Sequence, residues 1–149
     1  MFIVNVEGAI RRNDKWLIIK RSVHEEHAGG LLSLVGGKAE FEGAKSAVLE
    51  DTLKREIFEE VGITIADEMY YVMSTSFSTD KNEHVINIIY LCLSNENEPY
   101  CKSENEVEEL FWLTTDEVLS NSNSPVYLKE SIQNADKIYR AISLEESRY

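Results

Sequence analysis

The stretch from Ser46 to Val61 constrains this chain most. Leu53, Ile57 and Val61 recur every four residues, and at about 100° per residue they share one side of a helix. Ser46 is expected to be the N-cap, and Gly62 stands just past the C-terminus. A helix with such a stripe must bury it against another element. Glu56, Glu59 and Glu60 fall side by side on the adjacent arc, because i, i+3 and i+4 are neighbours on a helix surface. Like charges so placed cost about 0.2–0.5 kcal/mol per pair. They also lie in the C-terminal half, where the helix dipole disfavours negative charge. A hard dication such as Mg²⁺, which takes oxygen ligands, would neutralise them. The competing reading is a solvated acidic face. Against it, the carboxylates border the apolar stripe instead of opposing it, which should leave them half exposed.

The rest of the chain supplies something for that stripe to pack on. Phe2 to Arg12 alternates and predicts a strand, Asn13-Asp14 a turn, and Trp16 to Lys20 its hairpin partner. Leu31 to Val35 is a short apolar run between two glycine pairs. Met69 to Phe77 and Val85 to Leu93 are two further strands around a turn at Ser78 to Glu83. The second is apolar nearly throughout, as for a strand covered on both faces. Leu110 to Leu113 reads as a short strand, and Thr115 as the cap of a short helix. A last helix is expected from about Ser124 to Leu144, with Ser124 as cap and Pro125 in the first helical position. Its Leu128, Ile132, Ala135, Tyr139 and Ile142 form a single stripe. Mixed strands with helices on the faces predict an α/β or α+β sandwich. No repeat, low-complexity tract or linker breaks the chain, so residues 1–149 read as one domain.

Charge narrows the partners. Fifteen Lys and Arg against 27 Asp and Glu give a net charge of −12. Such a surface repels phosphate backbones and argues against a nucleic-acid polymer as partner. A small phosphorylated ligand remains compatible if a divalent cation lies between it and the protein. Cys92 and Cys101 form no disulfide framework or metal-type spacing, and Cys92 is expected to be a small buried hydrophobe. No signal peptide is visible and no window reaches the length of a membrane span. A cytoplasmic protein without membrane association is expected.

Arg55-Glu56-Ile57-Phe58-Glu59-Glu60-Val61-Gly62-Ile63 resembles the second half of the Nudix box, with all seven constrained positions filled. That signature is Gly, any five, Glu, any seven, Arg-Glu, an aliphatic, any, Glu-Glu, any, Gly, an aliphatic. Gly36-Gly37-Lys38-Ala39-Glu40 resembles its start. The order of elements is also similar to the Nudix fold, an α/β/α sandwich with a mixed sheet between helices. The first half departs from the pattern: Ala47 stands where the family has Glu, and the spacing from Gly37 to Arg55 is four residues longer. We read an insertion around Phe41 to Lys45. In the family that earlier Glu partners the box arginine. Asp51, one turn before Arg55, is the candidate replacement here. Glu50 points towards the apolar side, and Glu42 could reach back from the loop.

The resemblance implies hydrolysis of a nucleoside diphosphate linked to another moiety, by water attack on phosphorus with Mg²⁺ or Mn²⁺. It implies Glu56, Glu59 and Glu60 as metal ligands with the backbone of Gly37, and Arg55 as the residue orienting a box glutamate. Gly36, Lys38 and Arg21 would meet substrate, and His24 is an alternative to Arg21. Members differ in the general base. Some use a box glutamate and others a later carboxylate, for which Glu106 or Glu109 is expected in the stretch Glu104 to Glu109. His24 and His27 are more simply incidental, since no third ligand has zinc spacing. Trp16, Tyr70, Tyr71, Phe77 and Tyr90 are more simply core residues than base-stacking ones. A homodimer is compatible, since many relatives form one. The alternative function is a non-catalytic nucleotide-binding sensor on the same fold.

Overall fold

The protein is described by a computed structural model covering residues 1–23 and 29–146. β1 (Phe2–Arg12) turns at Asn13, whose φ of 56° suits a tight reversal, into β2 (Lys15–Arg21). This hairpin is short, joining only Arg11 to Trp16 and Arg12 to Lys15 in register. β2 then diverges to pair with β3 (Leu32–Ser33) and with β7 (Val107–Leu113). β7 thus begins three residues earlier than the apolar run predicts and takes up part of the acidic stretch. The edge of β1 that β2 vacates is filled by β4 (Val35–Lys38) over Asn5 to Gly8. Its other edge carries β6 (His84–Leu93), parallel over ten positions, and β6 turns back to β5 (Met69–Ser78). Among the described residues this makes one mixed sheet of seven strands. It splits between β1 and β2, and the consecutive strands β3 and β4 bridge the split.

Helices cover both faces. α1 (Val48–Val61) buries Leu53, Ile57 and Val61 completely against Val6, Ile10, Leu17 and Ile19, as its stripe requires. α3 (Val126–Glu146) sets Leu128, Ile132 and Ala135 on the other face against Ala9, Trp16, Ile18 and Leu91. The result is the expected α+β sandwich. Burying about a dozen large apolar side chains on each side, at about 1.5–3 kcal/mol apiece, is the main favourable term. Cys92 is one of them, and burial pushes its thiol up to about 12. β6 departs from expectation, because α1 covers only its Cys92 end. Ile86, Ile88 and Tyr90 on that face are half-buried.

The helix ends differ from the sequence reading in three places. Ser46 does not cap α1: Ala47 holds the N-cap position at a left-handed φ of 56°, with no side-chain hydrogen bond. Glu50 and Asp51 in the first turn suit the positive end of the dipole instead. α2 (Thr115–Ser120) is capped by Thr114, not Thr115. The Glu117 amide donates to the Thr114 hydroxyl at 3.2 Å, and the Thr114 amide to the Glu117 carboxylate at 2.9 Å. The Thr115 hydroxyl is used elsewhere, accepting the Trp16 indole N–H at 2.9 Å. Pro125 precedes α3 rather than opening it, and the Ser124 hydroxyl is buried without a partner. Thr114→Ala should cost about 1 kcal/mol, read from urea unfolding, because it removes one half of the reciprocal cap. No helix among the described residues is long and apolar enough to cross a membrane.

Candidate active site

Glycine ends α1 as its sequence demands. Gly62 takes φ 72° and returns its amide to the Phe58 carbonyl at 3.0 Å. The remaining C-terminal carbonyls need donors, and the following loop provides them. Tyr100 donates to the Val61 carbonyl at 3.0 Å, and Lys102 and Ser103 donate to that of Glu60 at 3.0 and 3.3 Å. The Lys102 ammonium also sits 3.8 Å from the Phe58 ring centre. From there the chain runs to Glu106, whose carbonyl accepts the Ser22 amide at 3.0 Å beyond the end of β2. Glu106 is thereby held between the end of α1 and the end of β2.

That placement brings carboxylates together. Glu60 is only 6% exposed, and its Oε2 is buried with no hydrogen-bond partner. Burial, with the Glu106 carboxyl beside it and Glu56 near, pushes its pKa up to about 10, while Arg21 pulls the other way. Glu56 is raised too, first by burial and then by Glu59. The three helix carboxylates are therefore not equally half exposed. Glu60 is buried, Glu56 has a 19% exposed side chain and Glu59 a 58% exposed one.

Arg55 holds the outer two. Its guanidinium lies 3.6 Å from Glu56 and 3.9 Å from Glu59, and 3.2 Å from Glu42. Glu42, in the lengthened loop, is thus the partner of Arg55, and among the described residues no ion pair joins Arg55 to Asp51. Gly37 completes the enclosure, since a methyl group there would overlap the Glu56 carboxyl. Among the described residues no three acidic, His or Cys side chains converge as a ready-made cation cage. Arg55 holds Glu56 and Glu59 at its guanidinium, while Arg21 is the cation that acts on Glu60. An all-oxygen donor set with one orphaned buried oxygen fits a hard dication.

The other expected residues divide. Arg21, at the end of β2, is close enough to affect the ionisation of both Glu60 and Glu7. Gly36 faces Glu7 in the β1–β4 register, and Lys38, exposed, faces Asn5. Glu109 lies away from the cluster, on β7 in register with Lys20, so Glu106 is the later carboxylate that joins the site. Trp16 is fully buried core, whereas Tyr71 and Phe77 are exposed. His24 and His27 lie outside the described residues.

The sequence reading missed a polar chain on the sheet. The Asn5 amide donates to the Asn87 side-chain oxygen at 2.8 Å, and the Asn87 amide donates to Glu7 Oε1 at 2.6 Å. A signal existed: Asn87 is the only amide or charged side chain between Val85 and Leu93.

Comparison with known proteins places the fold. No curated protein matches the chain in sequence. The fold is similar to a MutT Nudix hydrolase from Burkholderia pseudomallei, with a TM-score of 0.76 at 23% identity over 90% of this chain and 98% of that one. It is also similar to a MutT protein from Methanosarcina mazei Go1, with a TM-score of 0.76 at 20% identity over 93% and 95%. A third similar structure is the Nudix domain of Shewanella oneidensis NrtR, solved in complex with ADP ribose. Its TM-score is 0.66 at 18% identity, over 89% of this chain and 87% of that one. Residues 1–134 match the family model of the NUDIX domain. The chain therefore belongs to the Nudix family, whose members generally hydrolyse pyrophosphate bonds in small nucleotide-type substrates with the help of divalent metals.

Proposed function

We propose that this protein cleaves the pyrophosphate bond of a nucleoside diphosphate linked to another moiety, by attack of water on phosphorus, with Mg²⁺ or Mn²⁺ as cofactor. The observation that carries this reading is the buried, unpartnered oxygen of Glu60 among neighbouring carboxylates. Leaving such a group unsatisfied costs free energy that a bound cation would recover. Glu56, Glu59 and Glu60 would hold the ion, with the Gly37 backbone beside them. To complete the set, the Glu56 and Glu59 side chains would have to turn away from Arg55. These residues would hold a dication that, when bound, would screen the diphosphate from a protein of net charge −12 and supply electrostatic stabilisation of the charge developing on phosphorus oxygens. Arg55 positions Glu56 and Glu59, and Glu42 anchors Arg55. Glu106, beside Glu60, is the proposed acceptor of the proton from the attacking water. Lys38, Arg21 and Gly36 line the substrate's approach.

A phosphate-release assay over a panel of nucleoside diphosphate derivatives, with Mg²⁺ and with EDTA, tests the reading. Turnover that requires the metal is expected. The second reading, a ligand-binding sensor, draws on the similar Nudix domain that holds ADP ribose. Crowded carboxylates argue against it, since a binder has little use for them. No turnover of any substrate, together with a nucleotide-dependent rise in melting temperature, would favour the sensor.

Gly37→Ala supplies a further check. The added methyl must displace the Glu56 carboxyl, a flexible group, so the fold should survive. We expect the Mg²⁺ concentration for half-maximal activity to rise about 10–100-fold, as when groups supporting a metal site are disturbed. A Mg²⁺ titration of initial rates reads this directly.

A further inference from the structure

β1 and β6 pair in parallel, so Asn5 and Glu7 on one strand and Asn87 on the other project from the same side of the sheet as Ala9, Ile89 and Leu91. α3 covers the apolar residues of that side. At Asn5, Glu7 and Asn87 the same surface turns polar, and Asn87 is only 7% exposed. Placing an amide and a carboxyl there costs more than continuing the apolar pattern would, unless they have work to do. Their hydrogen bonds run in one direction, from Asn5 to Asn87 and from Asn87 to Glu7 Oε1, at 2.8 and 2.6 Å. Such a chain ends on an acceptor. Among the described residues the second Glu7 oxygen takes no hydrogen bond, and Glu7 is half-buried. Burial pushes the Glu7 carboxyl up, while the Asn87 amide and Arg21 pull it down. Burial raises the hydroxyl of Tyr127, in the first turn of α3, with Glu7 adding to the rise and Arg21 opposing it.

This polar surface and the carboxylate cluster share one ladder. Glu7 faces Gly36 across the β1–β4 register and Val6 faces Gly37, the residue that backs onto Glu56. Arg21 acts on the ionisation of Glu7 and of Glu60. Adjacent register positions point to opposite sides of the ladder, so a ligand with its diphosphate at Glu56 and Glu60 would reach Glu7 only by passing Arg21 at the gap where β2 leaves β1.

We infer that Glu7, oriented by the Asn5–Asn87 hydrogen-bond chain, selects nucleotides whose base carries an exocyclic amino group. An anionic acceptor takes the amino N–H of cytosine, adenine or guanine, whereas uracil offers a carbonyl oxygen at the position of the cytosine amine. A carboxylate facing that oxygen is left repelled and unpaired, which is how polar sites discriminate. The inference rests on the proposed nucleotide site and deepens it.

The test uses cytidine and uridine nucleotides matched in every other part, with two readouts: kcat/KM with Mg²⁺, and the rise in melting temperature they produce. The wild type should prefer cytidine by about tenfold or more, the low end of a good base contact. Glu7→Gln, close in shape but with an N–H donor in place of one oxygen, should shrink or reverse that ratio, mainly through KM. Asn5→Ala should weaken it without exchanging donor for acceptor, and serves if the Gln variant folds poorly. A wild-type ratio within twofold in both readouts, or one that neither variant shifts, overturns the inference. If hydrolysis fails for every nucleotide but the melting shifts keep the cytidine preference and lose it in the variants, the hydrolytic reading falls while the inference stands.

Discussion

Glu60→Gln should lower kcat by about 10²–10³-fold and, in EDTA, raise the melting temperature above that of the wild type. Both effects come from the same carboxyl. It is buried, one oxygen has no partner, and Glu106 lies against it. Burial first and Glu106 second lift its pKa from the ordinary 4.5 to about 10. Between those values the unfolded chain has released this proton and the folded protein keeps it. The folded state then binds more protons, so its stability falls as pH rises. Without metal, the wild-type melting temperature should decline from about pH 5 to about pH 9. Gln cannot ionise, so that part of the slope should vanish in the variant. Added Mg²⁺ should reverse the wild-type decline, with affinity strengthening as pH rises, because the ion takes the place of the proton. Wild-type turnover in the variant at saturating Mg²⁺ would remove Glu60 from the proposed ligand set. An unchanged slope in EDTA would mean that burial does not raise the Glu60 pKa.

Leu53→Asp should abolish folding near 25 °C. Leu53 is fully buried, in the stripe that joins α1 to the sheet, and its side chain lies directly over Gly8 of β1. Truncation to Ala would cost about 2–5 kcal/mol. An unpaired carboxylate adds a desolvation penalty to that loss, and the sum is comparable with the whole stability of a domain, about 5–15 kcal/mol. The variant should lack a cooperative thermal transition by circular dichroism. A transition within a few degrees of the wild type would mean that α1 can detach or shift without unfolding the sheet. The pairing of the two variants is informative. One changes charge at the site and spares the core, and the other does the reverse.

The parts of the fold that were legible are those set by neighbours in sequence. The α1 stripe, Gly62 at its end, the β5–β6 hairpin and the buried side of α3 all follow from periodicity and turn chemistry, which act over a few residues. Helix starts were missed by about one position, because Thr114 and Thr115 are equally good caps and groups far away in sequence, the Trp16 indole and the Asp136 carboxylate, engage the Thr115 hydroxyl. Arg55 shows the same limit. Its partner Glu42 is chosen by where the lengthened loop lands, and helical spacing, which favoured Asp51, does not encode that. Glu106 rather than Glu109 reaches Glu60 because amides of Lys102 and Ser103 tie the preceding loop to the end of α1. The Asn5–Asn87 hydrogen bond spans 82 residues and could be suspected only from a polar residue in an apolar strand.

The parallel pairing of β1 with β6 has a consequence for how the chain is made. β1 is tied to β2 at two register positions and to β6 at ten, and β6 begins only at His84. During synthesis the N-terminal strand therefore emerges long before its main partner exists. Closing so long a loop carries an entropy that must be met before the contacts reward it. Assembly of the central ladder should be late, and in the nascent chain the edge of β1 from Phe2 to Arg11 that β6 will pair stays open until then, the interval in which a chaperone would find its grip.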